Sequence, residues 1–307
     1  MKVFKNAHGE IRCGWPIAAI LASSMTLVPM LLGVVNSVFG SSNNETDLYL
    51  VALMLIQYAL LIGATILLLW LFYRRHIKQI GFNTKGWMPQ MALGLAFGAA
   101  SITIIVAVLL ISGAAKLSPF SAAGLRQGMF WFGLLQNVCV GFWEETISRG
   151  FMMTALKTTR VKPVIVLLPA AYFSLMHIMN NNVTFFSLAN IALIGVLFAF
   201  LLIKTGRLWA PIGFHIAWNF VQGYIFGIPI SGSSNDSALL NTAFSGPDWL
   251  TGGAFGAEGG AACTLIIILG MLFVHFALKP PRNPQEFWSM DGGLPLTRTQ
   301  VQTDNSG

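Results

Sequence analysis

Eight apolar stretches, each close to the length of a bilayer crossing, constrain this chain more than any other feature. They run approximately over residues 15–39, 48–73, 88–112, 128–156, 162–179, 184–203, 208–228 and 260–278. A transmembrane helix needs about 20 mostly apolar residues. The chain is 55% hydrophobic and 9% charged, whereas a soluble domain carries about 25% charged residues. The expected fold class is therefore all-α: a polytopic membrane helix bundle of about eight transmembrane helices.

Charge placement tests the count. Basic residues concentrate in the cytoplasmic loops of membrane proteins. With eight crossings and both termini cytoplasmic, the inside segments hold Lys2, Lys5, Arg12, Arg74, Arg75, Lys78, Lys85, Lys157, Arg160, Lys162, Lys204, Arg207, Lys279, Arg282 and Arg298. The outside loops hold only Lys116 and Arg126, and Arg149 lies within a span. The opposite orientation inverts that ratio. The net charge of +7 thus reports orientation, and no nucleic-acid partner is expected. The location expected is a cell membrane, crossed many times, and the bacterial plasma membrane in particular.

The division expected is residues 1–127 as three N-terminal transmembrane helices, 128–228 as a core of four, 229–259 as an outer loop, 260–279 as an eighth helix and 280–307 as a disordered cytoplasmic tail. The first apolar stretch exceeds the roughly 7–15 residues of a cleaved signal core and reads as a span. The loop, rich in Gly, Ser, Asn and Asp, reads as mobile or as a partial cover. Asn44, Asn182 and Asn235 open Asn-x-Ser/Thr triplets in outer loops. Cys13, Cys139 and Cys263 show no metal-site spacing and read as idle thiols.

The polar residues inside the spans carry the functional signal, because ionisable groups at membrane depth are costly and commonly mark a site. Span 4 contains Phe142-Trp143-Glu144-Glu145-Thr146-Ile147-Ser148-Arg149. Glu145 and Arg149 are four apart and share a helix face. Glu144 is rotated about 100° away, in line with Asn137 and approximately with Ser148. One glutamate thus has a built-in counter-ion and the other points into a different groove. Span 5 ends in Phe173-Ser174-Leu175-Met176-His177, and span 7 carries His215-Ile216-Ala217-Trp218-Asn219. His215 and Asn219, again four apart, project together. His8 and His76 fall outside the spans, and His275 stands alone in the eighth.

Any one of these groups can be explained by packing. Together, a carboxylate, imidazoles and an amide from three spans supply what hydrolysis needs. A carboxylate can take a proton from water. Histidine can orient that water or help hold a zinc that activates it. A His–Asn pair can donate to a developing oxyanion.

At this point the residues resemble a known family: the intramembrane proteases that include the type II CAAX prenyl endopeptidases and the Abi, bacteriocin-processing proteins. Its signature is Glu-Glu-x-x-x-Arg, Phe-x-x-x-His and His-x-x-x-Asn on successive membrane helices. These correspond to Glu144 to Arg149, Phe173 to His177 and His215 to Asn219. The run Thr205 to Ile212 also resembles the family's approach to its last motif. The resemblance covers about Gly128 to Tyr224.

It implies a CAAX-type endopeptidase, glutamate- or metal-dependent, acting on a peptide or protein substrate in the bilayer. Glu144 would be the general base, His177 would position the water, His215 and Asn219 would form the oxyanion hole, and Glu145 and Arg149 would organise the site. A divalent metal such as zinc, if required, would fall to Glu144, His177 and His215; the sequence has no His-Glu-x-x-His. A non-catalytic membrane scaffold or bacteriocin-immunity-type protein is the alternative. A proton-relaying transporter comes third, without the repeat such proteins show. One difficulty stands: counted along straight helices, His177 lies about 24 Å from the inner start of its span and His215 about 10 Å from that of its own. Bends at Pro169 or Pro211, or a seventh span starting inside the bilayer, would bring them together.

Overall fold

The computed structural model describes residues 11–27, 47–73, 80–84, 86–234 and 237–279, with isolated positions between 29 and 37. The tail from Pro280, His8, His76, and the triplets at Asn44 and Asn235 lie outside the described residues, as does much of the inner basic set.

The described chain is all-α apart from one short ribbon. Helix α1 (Gly14–Ala22) widens into a π turn, Ser23–Leu27. Long helices α2 (Asp47–Tyr73) and α3 (Trp87–Ile111) follow. Helix α4 (Gly128–Glu145) passes through a π segment, Thr146–Met152, into the short α5 (Met153–Leu156). Then come α6 (Lys162–Leu175), α7 (Phe185–Thr205) and α8 (Trp209–Phe220), the last running into a π turn, Val221–Ile225. A short α9 (Asp248–Thr251) precedes α10 (Ala261–Ala277). Strands β1 (Ala115–Leu117) and β2 (Thr242–Phe244) pair antiparallel. No helical periodicity announced them, and each has only three residues.

Among the described residues, three helical stretches are long and apolar enough to cross a membrane: Val51–Phe72, Trp87–Ile111 and Phe185–Thr205. Lys162–Leu175 and Ala261–Ala277 are shorter apolar helices. Many of the large side chains on these helices face outward, among them Trp70, Ile111, Phe185 and Phe276. That is the surface expected where lipid replaces water.

Glycines set the framework of the core. A Cβ on Gly94 would lie 2.1 Å from the Ala210 carbonyl oxygen, one on Gly98 would lie 2.3 Å from that of Phe214, and one on Gly213 would lie 2.5 Å from that of Met91. Helices α3 and α8 therefore meet backbone to backbone, as small residues allow in membrane bundles. This contact fixes α8, which carries His215 and Asn219, against one of the longest helices of the bundle.

Helix α7 begins with a capping box: Thr184 accepts from the Ser187 amide, and the Ser187 hydroxyl accepts from the Thr184 amide. Such reciprocal bonds satisfy two of the helix's orphan donors. It ends at Gly206, at φ 70°, where a residue without Cβ is at ease. The described part of segment 229–259 contains, besides β2 and α9, turns at Gly253–Phe255 and Ala257–Gly259.

Candidate active site

The first motif sits where α4 changes from α to π geometry. Glu145 closes the α-helix and Arg149 lies in the π segment. Such bulges are frequent at functional sites because they shift side chains off the regular helical register. Arg149 donates from Nη1 to Glu145 Oε1 at 3.0 Å and from Nη2 to the Gly195 carbonyl at 3.0 Å. Its guanidinium lies 4.5 Å from the centre of the Phe173 ring and 5.0 Å from that of Phe198. These aromatic faces add cation–π attraction to the ion pair. Gly195 makes room for it: a Cβ there would stand 3.1 Å from Nη2.

The second and third motifs meet on the same aromatic floor. His177 Nδ1 lies 2.8 Å from the Phe173 carbonyl oxygen, which can only accept. Nδ1 therefore carries the hydrogen, and in the neutral ring Nε2 keeps its lone pair. His215 stacks on Phe198 with ring centres 5.2 Å apart, and its Nδ1 donates to Glu145 Oε1 at 3.2 Å. Its Nε2 faces Glu144 Oε2 at 3.8 Å. One oxygen of Glu145 thus serves both Arg149 and His215. Glu144 Oε2 is buried without a hydrogen-bond partner among the described residues.

A cavity of about 650 Å³ gathers these groups. Glu144, His177, His215 and Asn219 line it together with Asn137, Phe173, Trp218 and part of the 229–259 segment. A smaller cavity of about 210 Å³, lined by Trp143, Ile147, Ser148 and Met176, shares Glu144 and His177 with it. Glu145 and Arg149 are buried behind the cavity rather than lining it. His275, in the last turn of α10, is not among its lining residues.

The structure shows how two histidines at different counted depths reach one cavity. Helix α6 stops at Leu175, so His177 stands in the turn beyond it, while α8 is only 12 residues long before it becomes a π turn. The Phe173 ring bridges them, 5.1 Å from His177 and 5.8 Å from His215. Pro169 lies inside α6. Pro211 sits in the first turn of α8, where a missing N–H is tolerated; of the two bend sites considered, it interrupts nothing.

Among the described residues no three His, Cys, Asp or Glu side chains are grouped closely enough to hold a metal ion. Glu144, His177 and His215 share the cavity without forming a ligand set as placed.

Sequence reasoning missed Glu258. It lies in the 257–259 turn, 3% exposed, and lines the same cavity as Glu144. Trp218 Nε1 and Gln222 Nε2 donate to it at 3.4 and 2.9 Å, and the Ser231 amide at 3.0 Å. Its one signal in the sequence is a lone acid in a glycine-rich stretch just before an apolar helix.

Residues 126–221 match the family described as Rce1-like: Type II CAAX prenyl endopeptidase Rce1-like. No curated protein and no solved structure matches the chain. The matched segment runs from just before α4 through α8 and contains all three motifs. The class that this segment resembles is that of the CAAX-type endopeptidases. Over residues 126–221 the chain is similar to the type II CAAX prenyl endopeptidase Rce1-like family.

Proposed function

We propose that this protein is an intramembrane endopeptidase that hydrolyses a peptide bond of a membrane-associated or CAAX-like protein or peptide through water activated by Glu144. The observation that carries the reading is the convergence of Glu144, His177, His215 and Asn219 on one cavity. Glu144 has a buried oxygen with lone pairs free, as a base must. His177 offers an Nε2 lone pair that can accept a hydrogen bond from the same water.

In this mechanism the water oxygen bonds to the scissile carbonyl carbon while Glu144 takes one water proton. The carbonyl π electrons move to oxygen, and His215 and Asn219 donate to that oxyanion. Since His215 Nδ1 already donates to Glu145, donation from Nε2 requires hydrogen on both ring nitrogens. Two carboxylates, one guanidinium and one imidazolium then sum to zero charge, which a buried cluster needs. Collapse of the intermediate breaks the C–N bond, and the proton on Glu144 passes to the leaving amine. Arg149 and Glu145 hold His215 in place.

The eight apolar stretches cross the bilayer with both termini inside, as the basic residues favour. The 229–259 segment that lines the cavity is then on the outer side, and substrate reaches Glu144 from there or laterally.

The test is peptide release by purified protein in bilayer nanodiscs, with a farnesylated CAAX peptide and an unlipidated membrane-spanning peptide, each with and without chelator. Cleavage of either substrate that disappears in Glu144→Gln and His177→Ala supports the reading. Loss of cleavage on chelation would add a metal to it. A Glu144→Gln variant as active as the parent would refute the mechanism, and two intact peptides would favour a scaffold.

A further inference from the structure

Glu258 lies outside the three motifs and outside the matched 126–221 core. Its backbone is anchored first: Asn190 of α7 donates from Nδ2 to the Glu258 carbonyl at 2.7 Å and to that of Gly260 at 3.0 Å. Thr264 of α10 donates in turn to Asn190 Oδ1 at 2.7 Å. The side chain then reaches across to Trp218 of α8 and Gln222 of the π turn that follows it, both of which donate to it. Gln222 Nε2 also donates to the Pro229 carbonyl at 2.6 Å. Glu258 is thus a fixed acceptor, its backbone tied to α7 and its carboxylate to α8 and the π turn that follows it.

What it holds is the small bridge Ile230–Ser233, a wall of the cavity. Ser231 sits at φ 44°, a conformation that costs a non-glycine residue about 1–3 kcal/mol and persists only when its surroundings impose it. Its amide donates to Glu258 Oε2 at 3.0 Å and its hydroxyl to Oε1 at 3.4 Å. The Ser231 carbonyl accepts from Asn180 Nδ2 at 2.9 Å, and the Asn180 amide donates to the His177 carbonyl at 3.1 Å. The next residue, Gly232, approaches the same turn so closely that a Cβ would lie 2.1 Å from the Asn181 carbonyl oxygen.

We infer that Glu258 is a positioning residue for the hydrolysis: through Ser231 and Asn180 it latches the 230–233 bridge onto the turn that carries His177. The inference rests on the proposed reaction, in which His177 orients the water. Phe173 fixes the ring from one side; the latch fixes the turn from the other. Misplacing an orienting group by about 1 Å can cost about 100-fold in rate, so a residue that takes no part in the bond-making steps can still set kcat.

The experiment compares Glu258→Ala, Glu258→Gln, Asn180→Ala and the double variant Glu258→Ala/Asn180→Ala with the parent. It reads kcat and KM for peptide cleavage and amide hydrogen exchange of residues 228–234. Glu258→Ala and Asn180→Ala are each expected to lower kcat by roughly 10–100-fold with KM unchanged and to raise exchange at 228–234. The double variant should be no worse than the poorer single, because both cut one chain of contacts. Glu258→Gln should recover most of the loss, since its amide oxygen can still accept from Ser231 and Gln222. Parental kcat in Glu258→Ala, or loss without faster exchange, or a Gln variant as poor as Ala, would overturn the latch. If Glu258→Ala does not fold, Asn180→Ala, altering a half-buried surface turn, decides alone. If Glu144→Gln proves fully active, the proposed reaction falls while exchange at 228–234 still judges the latch.

Discussion

Glu145 and Arg149 are joined at 3.0 Å with both side chains shut off from solvent. The pair is not a surface ornament. Removing one member leaves a buried charge without its partner, at about 3–5 kcal/mol. Arg149→Met is expected to lose stability of that order, read as a lowered thermal midpoint in detergent. Arg149→Lys should recover only part, because one ammonium cannot serve Glu145 and the Gly195 carbonyl in the guanidinium's fork geometry.

Gly98 tests the scaffold beneath His215. A Cβ there would stand 2.3 Å from the Phe214 carbonyl, a backbone atom that cannot rotate away. Gly98→Val should push α8 from α3 and cost about 1–3 kcal/mol, together with cleavage, because His215 follows Phe214. Gly63, with nothing within 4 Å of a Cβ, should tolerate alanine. Thermal melts of the two variants check the contrast.

Glu258 makes a pH prediction. Burial pushes its carboxyl above the ordinary 4.5, outweighing the downward pull of Gln222, Ser231, nearby His177 and Trp218. The folded protein therefore holds this proton more tightly than the unfolded chain. Its contribution to stability is full below 4.5 and is lost as pH rises through the folded value. Across that window, the stability of the parent relative to Glu258→Gln should fall with rising pH. A difference that stays flat would contradict the assignment.

The proposed topology is open to chemical labelling. Ser233 is exposed on the cavity wall and belongs to the segment placed outside. In a chain with Cys13, Cys139 and Cys263 replaced by serine, Ser233→Cys should react with a membrane-impermeant maleimide in intact cells. Labelling only after the membrane is broken would invert the orientation.

The helices and the three motifs were legible because each rests on a local rule. Apolar length marks a crossing, and four-residue spacing pairs Glu145 with Arg149 and His215 with Asn219. Glu145 bonding to His215, a contact between separate helices, was not legible, nor was the sharing of one oxygen between His215 and Arg149. The counted gap in depth between His177 and His215 assumed straight helices of full length. In the structure α6 ends before His177 and α8 stays short, endings that apolar composition does not mark. Glu258 escaped because its partners Trp218, Gln222 and Ser231 are distant in sequence and its own neighbourhood looked like loop.

The most direct measurement is the cleavage rate of Glu144→Gln in nanodiscs, beside a thermal melt of the same preparation. The account predicts an unchanged melt and a fall in kcat of at least about 100-fold, the scale of a lost general base. Cleavage at the parental rate by a folded Glu144→Gln protein would contradict it.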